Sequence, residues 1–327
     1  MAVPTGTASM LDIQNEFGGS NPIGLSEYYG VADGIPASGT ISINDFRGKA
    51  APIPYSLADA TFTTAYSATP AAGWPYSGFD YTTPAQINFS DDGTKVYLAG
   101  PAQIYQGTLS TPYMINTASY DYYGPYHYLA VPSMNGKGFA LKSDGTKLYA
   151  IINGNNDQPV LYQYNIGTAW DITDYSLGGI SKNLRSGTGM QQCYSVSFKP
   201  DGTKAYVFGG VQAYPFNPRI WEYNLSTAWD ITTMSVVTSY SVSSQIIWMA
   251  QHYMSEDGTK LFVCDDDAKV SQYNLSTPWS VSTASYSGTS FQGTQSSTFG
   301  MCFANNGTYM YTVDPYGDTI YQYTTLG

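Results

Sequence analysis

A short cassette that recurs along the chain constrains the fold more than any other feature. Its first half is a hairpin turn, and its second half is an aromatic residue followed two positions later by an aliphatic one. Four turns read Asp-Gly-Thr-Lys and a fifth reads Asn-Gly-Thr-Tyr, at residues 92–95, 144–147, 201–204, 257–260 and 306–309. The aromatic–aliphatic pairs after the first four turns are Tyr113/Ile115, Trp170/Ile172, Trp229/Ile231 and Trp279/Val281. Turn glycines spaced 49 to 57 residues apart indicate blades of four short strands.

The fifth copy is divided between the two ends of the repeat region. Its missing half lies before the first turn, where residues 55–62 align without gaps to residues 279–286. A closed ring needs such a division, because an early strand then completes the last unit and removes its unpaired edge. The prediction is an all-β five-bladed β-propeller over residues 51–327, with four-stranded blades and closure by an N-terminal strand. The residues expected at the closure are Tyr55, Leu57, Phe62, Tyr321 and Tyr323.

The pattern around each turn assigns the strands. Ile87 and Phe89, six and four residues before a turn glycine, show the period of two of an innermost strand with one buried face. The continuous apolar run 96–98 after the turn indicates a second strand that is covered on both faces. A third strand of the 220–225 type and an outer strand of the Thr-Ala-Ser-Tyr type complete each blade.

Composition limits the partners of the chain. The net charge of −11 disfavours nucleic acid and anionic membrane surfaces, because both are bound through Lys and Arg. No apolar run approaches the roughly 20 residues of a membrane-spanning helix, so no membrane insertion is expected. Cys193, Cys264 and Cys302 are expected to be reduced and buried, which favours folding in a cytoplasm. The sequence has no zinc-ligand spacing and no phosphate-binding loop, and no cofactor is predicted.

Residues 1–50 lack the cassette and are expected to form a small mixed N-terminal anchor segment. Residues 11–19 are a short helical candidate, with Asp12 as the N-cap and Gly18 as the stop. A segment of this size has a marginal core alone, so it is expected to dock on another copy, giving a homo-oligomer, or on a larger assembly. The residues expected at this anchor interface are Leu11, Ile13, Phe17, Tyr28, Tyr29, Ile41 and Phe46.

The anchor segment resembles a leader found in structural proteins of tailed bacteriophages. The similar strings are SMLDIQNEFGG (residues 9–19), NPIGLSEYY (21–29) and PASGTISINDF (36–46). In those proteins, similar leaders precede variable fibre-like or adhesive C-terminal regions. The resemblance implies a fibre or decoration type of virion protein, assembled in the host cytoplasm, that contacts other virion proteins through residues 1–50. The Asp-Gly-Thr-Lys hairpins also resemble those of many phage and bacterial propellers, which bears on fold alone.

Side chains suited to catalysis are scarce. Polysaccharide hydrolysis needs two carboxylates that face one bond, and the chain contains four Glu. Glu222 is expected on the polar face of a third strand and Glu256 beside a turn, so neither is predicted to be an inward acid. His252 aligns with apolar innermost-strand positions and is expected to be half-buried and hydrogen-bonded. Asp265, Asp266 and Asp267 could hold calcium, although a solvated turn fits their position better.

Two connections rich in Tyr, Pro, Gly and Asn offer surface for recognition. Tyrosine provides a large contact area at low entropic cost, although a chain with 31 tyrosines also uses them to cover its blades. The surface candidates are Tyr122, Tyr123, Tyr126, His127, Tyr214 and Phe216.

The function expected from these observations is that of a non-enzymatic virion structural protein. Residues 1–50 would anchor it, and the propeller would be displayed for host attachment, to a host-surface glycan or protein, or for binding to virion proteins. Two other classes stay open. A polysaccharide-degrading enzyme would show an acidic cluster at the channel mouth, and a pure decoration protein would have both propeller faces packed against virion neighbours.

Overall fold

The structure, a computed structural model, describes residues 2–19, 24–29, 31–32, 35, 38–47, 54–67, 86–99, 104–121, 136–154, 158–210, 217–246, 251–295, 297–298, 300–314 and 317–326. The chain divides into two compact units. One comprises Met1–Pro54 with Leu326–Gly327, and the other comprises Tyr55–Thr325. The division follows Pro54, the last residue of the Pro-containing stretch 50–54.

The larger unit is a five-bladed β-propeller, as predicted. Its described strands form five antiparallel sheets of four strands each, in the orders β2-β3-β4-β5, β6-β7-β8-β9, β10-β11-β12-β13, β14-β15-β16-β17 and β18-β19-β20-β1, which we number blades 1 to 5. The strands are β1 Thr61–Ser67, β2 Ile87–Phe89, β3 Lys95–Ala99, β4 Ile104–Leu109, β5 Ala118–Tyr120, β6 Gly136–Leu141, β7 Lys147–Gly154, β8 Gln158–Ile166, β9 Tyr175–Asn183, β10 Gln192–Phe198, β11 Lys204–Gly210, β12 Arg219–Leu225, β13 Met234–Ser241, β14 Gln251–Met254, β15 Lys260–Cys264, β16 Lys269–Leu275, β17 Ala284–Gln292, β18 Gly300–Ala304, β19 Tyr309–Asp314 and β20 Thr319–Thr324.

The predicted ring closure is confirmed. β1 is the outermost strand of blade 5 and pairs antiparallel with β20, with Phe62 opposite Tyr323 and Ala65 opposite Tyr321. Tyr55 and Leu57 lie in the blade 5 core and are 4% and 3% exposed. Phe62 is different, because it is 55% exposed and contacts the edge of the Tyr323 ring at a centroid distance of 6.0 Å.

The two halves of the cassette meet within each blade. In blade 4 the backbone N–H of Trp279 donates to the carbonyl of Gly258 at 2.9 Å, and the indole ring covers that glycine so closely that a Cβ atom there would overlap it. Trp279 itself has a φ of 63°. The same backbone bond and positive φ recur in every blade, at the pairs Tyr113 with Gly93, Trp170 with Gly145, Trp229 with Gly202 and Tyr55 with Gly307. Glycine is therefore required on two counts, its own positive φ and the ring above it.

Neighbouring blades are joined by a repeated pair of contacts, which we call the blade latch. A second-strand tyrosine donates its hydroxyl to the carbonyl of the cassette aromatic in the next blade, as Tyr206 does to Trp279 at 2.7 Å. A third-strand Gln or Glu accepts from the backbone N–H of the aliphatic residue two positions later, as Gln106 does from Ile172 at 3.0 Å. Tyr97, Tyr149 and Tyr311 repeat the hydroxyl contact, and Gln322 repeats the amide contact.

The junction of blades 4 and 5 departs from this pattern. The second-strand position there is Phe262, which has no hydroxyl to donate and instead stacks on Tyr55 with ring centroids 6.0 Å apart.

Glu222 occupies the Gln position of blade 3, is 1% exposed, accepts from Val281 N–H at 2.9 Å and pairs with Lys204. It is therefore a buried inter-blade contact, whereas the sequence predicted only a polar strand face.

The N-terminal unit is built from short capped helices. Its α-helix α1 spans Met10–Phe17, and 3-10 helices span Leu25–Tyr28 and Ile43–Phe46. The N-cap of α1 is Ser9, which accepts from Asp12 N–H while the Asp12 carboxylate accepts from Ser9 N–H at 2.7 Å. The prediction of Asp12 as N-cap was therefore wrong by three residues, because Asp12 is the other half of a capping box. Gly18 ends the helix, as expected.

The core of this unit uses most of the residues predicted at its anchor interface. Ile13, Tyr28 and Phe46 are at most 2% exposed, and Phe17 packs edge-on against Tyr28 and Phe46 at 6.4 and 5.9 Å. Ile41 and Tyr29 are partly exposed, whereas Leu11 is 62% exposed on α1. In the described part of this unit, Leu11 is thus the large apolar side chain left for an outside contact. No helix in the described part of the chain is long and apolar enough to cross a membrane.

Candidate functional site at the mouth of the central channel

The five hairpin turns of the cassette lie at one end of the ring, which we call the turn face. A cavity of about 570 Å³ opens there into the central channel. Each turn begins with Asp or Asn, and the residue just before it lines the cavity in all five blades. These lining residues are Asp91, Ser143, Pro200, Glu256 and Asn305. These five positions differ among the repeats, whereas the turn residues beside them are nearly constant. The channel mouth is therefore where the repeats present different chemistry.

The constant turn residues are occupied by their structural role. In the first turn the Asp92 carboxylate accepts from the backbone N–H and the hydroxyl of Thr94 at 2.9 and 2.8 Å. In the third, Asp201 also pairs with Lys199 at 2.6 Å. Partial burial opposes ionisation of Asp201, but the bonds from Lys199 and Thr203 outweigh it and lower the pKa of its carboxyl to about 2. These acids hold the turns and are not available to a ligand.

Asp91 and Glu256 have no such partners. Neither carboxylate forms a hydrogen bond or an ion pair with any described residue, and no Lys or Arg is among the described residues that line the cavity. Partial burial, and then the charges of Asp92 and Asp144, raise the pKa of Asp91. Partial burial, and then the charges of Asp91 and Asp257, raise the pKa of Glu256. The mouth therefore contains two unpaired acids, each with a depressed tendency to ionise.

The sequence predicted that Glu256 lies beside a turn and is not an inward acid. In the structure it lies beside the turn and also lines the cavity. Asp91 was not singled out from the sequence at all. The signal that could have found both is the variable position within an otherwise constant turn, because a residue that the turn does not need is free to serve another purpose.

Aromatic rings form much of the wall. Tyr113, Trp229 and Trp279, the cassette aromatics of three blades, line the cavity together with Phe198 and Phe303. Phe198 packs on Trp229 with ring centroids 5.4 Å apart, so the wall is continuous with the blade cores. The cavity lining thus combines aromatic and polar side chains, with the two acids Asp91 and Glu256 among them.

His252 lies deeper in the same cavity. Its Nδ1 and Nε2 atoms are hydrogen-bonded to the hydroxyls of Ser195 and Ser197 at 2.6 and 2.8 Å. The predicted hydrogen bonding is confirmed, but burial is more complete than expected, since the residue is 4% exposed. Burial lowers the pKa of His252 to about 3, so the imidazole is neutral at physiological pH. With both nitrogens occupied, it serves as a bridge between blades 3 and 4.

The remaining sequence candidates divide into two groups. The surface candidates Tyr122, Tyr123, Tyr126, His127, Tyr214 and Phe216 lie outside the described residues. Asp265 closes a turn between β15 and β16, because its Oδ1 accepts from the N–H groups of Asp267 and Lys269 at 3.2 and 3.1 Å. Within the described parts of the chain, no group of three or more His, Cys, Asp or Glu could hold a metal ion. The three cysteines are free and buried, as predicted.

Comparisons with known proteins assign no family to the chain. No protein-family model and no curated protein matches the chain. Among solved structures, it is similar to a functionally unknown protein from Desulfotomaculum acetoxidans, with 14% identity, 70% of this chain and 64% of that chain covered, and a TM-score of 0.43. It is also similar to a putative 6-phosphogluconolactonase from Bacteroides uniformis, with 13% identity, 73% of this chain and 65% of that chain covered, and a TM-score of 0.42. A third similar structure is the β-propeller domain of Cps50 (Swd1) from Myceliophteria thermophila, with 10% identity, 81% of this chain and 99% of that chain covered, and a TM-score of 0.43.

The chain thus spans less than two thirds of the length of the first two of these structures. The class that the sheet topology defines is the five-bladed β-propeller.

Proposed function

We propose that this chain is a non-enzymatic structural protein of a tailed-phage virion that displays its propeller as a binding module. The observation that carries the binding role is the turn-face cavity, where the five non-repeating turn positions and unpaired polar groups converge on one concave site. Concave, largely apolar sites with a few convergent polar groups are the usual form of ligand sites. The leader resemblance of residues 9–46 supports the virion location.

The N-terminal unit supports attachment to a larger assembly. Its core is occupied by its own side chains, yet Leu11 is left 62% exposed on α1. Burial of this leucine in a pocket of a neighbouring virion protein would remove apolar surface from water and so favour attachment. The unit would thus be folded before it binds its neighbour.

Immuno-electron microscopy of the purified phage particle tests the location. Antibodies raised against the full chain should label the particle, and a phage that carries Leu11→Asp should lose most of the label. Asn15→Asp is the matched control, because it adds the same charge at an exposed position of the same helix and should retain the label. An unlabelled wild-type particle would show that the chain is not a virion component.

Binding to host cells tests the display role. Fluorescently labelled full chain should bind host cells saturably and should compete with phage adsorption. A chain that labels the particle but neither binds cells nor competes would be a decoration protein.

A second candidate function is polysaccharide hydrolysis, and one specific observation favours it. Asp91 and Glu256 are unpaired carboxyls at the mouth of a cavity, and the raised pKa of Glu256 would suit a general acid. Incubation of the full chain with host-derived polysaccharide, followed by assay of new reducing ends, decides between the two. Hydrolysis that is abolished by both Asp91→Asn and Glu256→Gln, and retained in Asp267→Asn, would replace the binding proposal with the enzymatic one.

A further inference from the structure

We infer that the turn-face cavity binds one uncharged pyranose residue of a glycan. The inference rests on the proposed binding function and names its ligand class and its site. It follows from the shape of the cavity, from its unpaired donors and acceptors, and from its charge.

The shape is that of a small ligand site. The volume of about 570 Å³ falls within the range of roughly 300–1,000 Å³ that is typical of pockets for small molecules. Tyr113, Trp229 and Trp279 are among the residues that line the cavity, and aromatic rings are the side chains on which the C–H face of a pyranose packs. This lining is less suited to an extended peptide, which pairs through its backbone with a strand edge.

The cavity contains a hydrogen-bond donor at depth that no described residue satisfies. Gln86 lines it and is 6% exposed, so its side chain is almost wholly enclosed. Its Oε1 accepts from the backbone N–H of Phe139 at 2.6 Å, whereas its Nε2 forms no hydrogen bond with a described residue. The Gln86 Nε2 is therefore a donor that a ligand hydroxyl oxygen in the cavity would satisfy.

The rim supplies acceptors to match. The carboxylates of Asp91 and Glu256 are free to accept from hydroxyl groups, and the exposed Ser143 and Asn305 add groups that donate and accept. Neighbouring sugar hydroxyls act as donor and acceptor at once, so a pyranose satisfies both sets. An apolar ligand would leave every one of these groups unpaired.

The charge of the site excludes acidic sugars. Two carboxylates border the mouth, no described lining residue is basic, and the chain as a whole has a net charge of −11. A uronic or sialic acid would bring a third negative charge into a partly enclosed site. The expected ligand is therefore an uncharged hexose or N-acetylhexosamine.

Titration of the full chain tests this inference, with isothermal calorimetry and intrinsic tryptophan fluorescence, to which the lining residues Trp229 and Trp279 contribute, as readouts. The probes are the methyl glycosides of glucose, galactose, mannose and N-acetylglucosamine, with methyl glucuronide as the acidic comparison. At least one neutral probe should bind saturably with a millimolar or lower Kd, and glucuronide should bind at least tenfold more weakly.

Three variants sharpen the test. Asp91→Asn and Glu256→Gln keep the size of each side chain and should weaken the neutral probe at least fivefold. Asp267→Asn makes the same change in charge at an exposed turn between β15 and β16, outside the cavity, and should leave the Kd unchanged. The inference is overturned if no neutral probe saturates, if glucuronide binds as tightly, or if all three variants behave alike.

These outcomes are distinct from those for the proposed function. Persistent cell binding by the two cavity variants would keep the display role and remove this ligand site. If the chain binds the sugar but antibodies against it do not label the particle, the ligand site stands and the proposed virion location does not.

Discussion

The closest test of the propeller's repeated architecture is the substitution Gly258→Ala. Gly258 has a φ of +70°, and a Cβ atom built on it would lie within 3.0 Å of the indole ring of Trp279. The methyl group therefore meets two costs, a left-handed backbone and a ring that must move. The Trp279 ring also packs on Tyr206 with ring centroids 6.2 Å apart, so displacing the ring would disturb the contact between blades 3 and 4.

The two costs can be separated in magnitude. A non-glycine residue in the left-handed region costs about 1–2 kcal/mol. Forcing an extra methyl into a packed region costs about 1–3 kcal/mol more. Gly288 provides the matched control in the same blade, because its φ is +82° but nothing lies within 4 Å of the position of its Cβ. Gly288→Ala should therefore show only the backbone cost, and Gly258→Ala should exceed it by at least about 1 kcal/mol.

Urea unfolding of the full chain, followed by tryptophan fluorescence, measures the difference. All six tryptophans belong to the propeller part of the sequence, so the signal reports on that unit. Both variants should keep the wild-type slope, so that their midpoints compare directly. Equal losses of unfolding free energy in the two variants would refute the inference that ring contact fixes the turn glycine.

Three further predictions concern the latch, the buried histidine and the N-terminal unit. Phe262→Tyr should supply the hydroxyl missing between blades 4 and 5 and raise the unfolding free energy by about 0.5–1.5 kcal/mol, whereas Tyr206→Phe should lower it by a similar amount; a loss in Phe262→Tyr would show that no acceptor is in reach. The pKa of His252 is about 3 in the fold against an ordinary value of 6.5, so between these pH values the unfolded chain binds a proton that the folded chain does not, and acidification favours unfolding. Relative to His252→Met, the wild type should lose about 1.4 kcal/mol per pH unit below pH 6.5 in urea titrations, and parallel pH profiles would contradict this. Ser9→Ala should destabilise α1 by about 1 kcal/mol, seen as faster amide hydrogen exchange in Met10–Phe17, whereas the exposed Ser26→Ala should leave that exchange unchanged.

The blade count and the closure could be predicted because they depend on local chemistry that is repeated. Each turn needs its glycine beneath a ring, so the pair recurs in every blade and its divided copy exposes the closure. The helix in the N-terminal unit was also predictable, but not which of Ser9 and Asp12 precedes it. Both residues of a capping box are hydrogen-bonded caps, and only the backbone conformation of Ser9 distinguishes them.

The acids at the channel mouth were not predicted to lie together, for a geometric reason. Asp91 and Glu256 are far apart in sequence, and they share a cavity only because five turns converge around one axis. The burial of Glu222 was missed for a related reason, since its partner Val281 belongs to the next blade. Period-two patterns report which face of a strand is apolar. They do not report which neighbouring blade a polar side chain reaches.

The blade 5 pairing has a mechanical consequence. The segment that follows the N-terminal unit continues within a few residues into β1. The same stretch of chain therefore connects the two units and closes the ring. Tension along that segment would load the Tyr55–Gly307 and Ser56–Thr325 backbone bonds before the pairing of β1 with β20, against the resistance of buried Tyr55 and Leu57. A pull on this molecule would therefore open the ring at its seam before any other blade is disturbed.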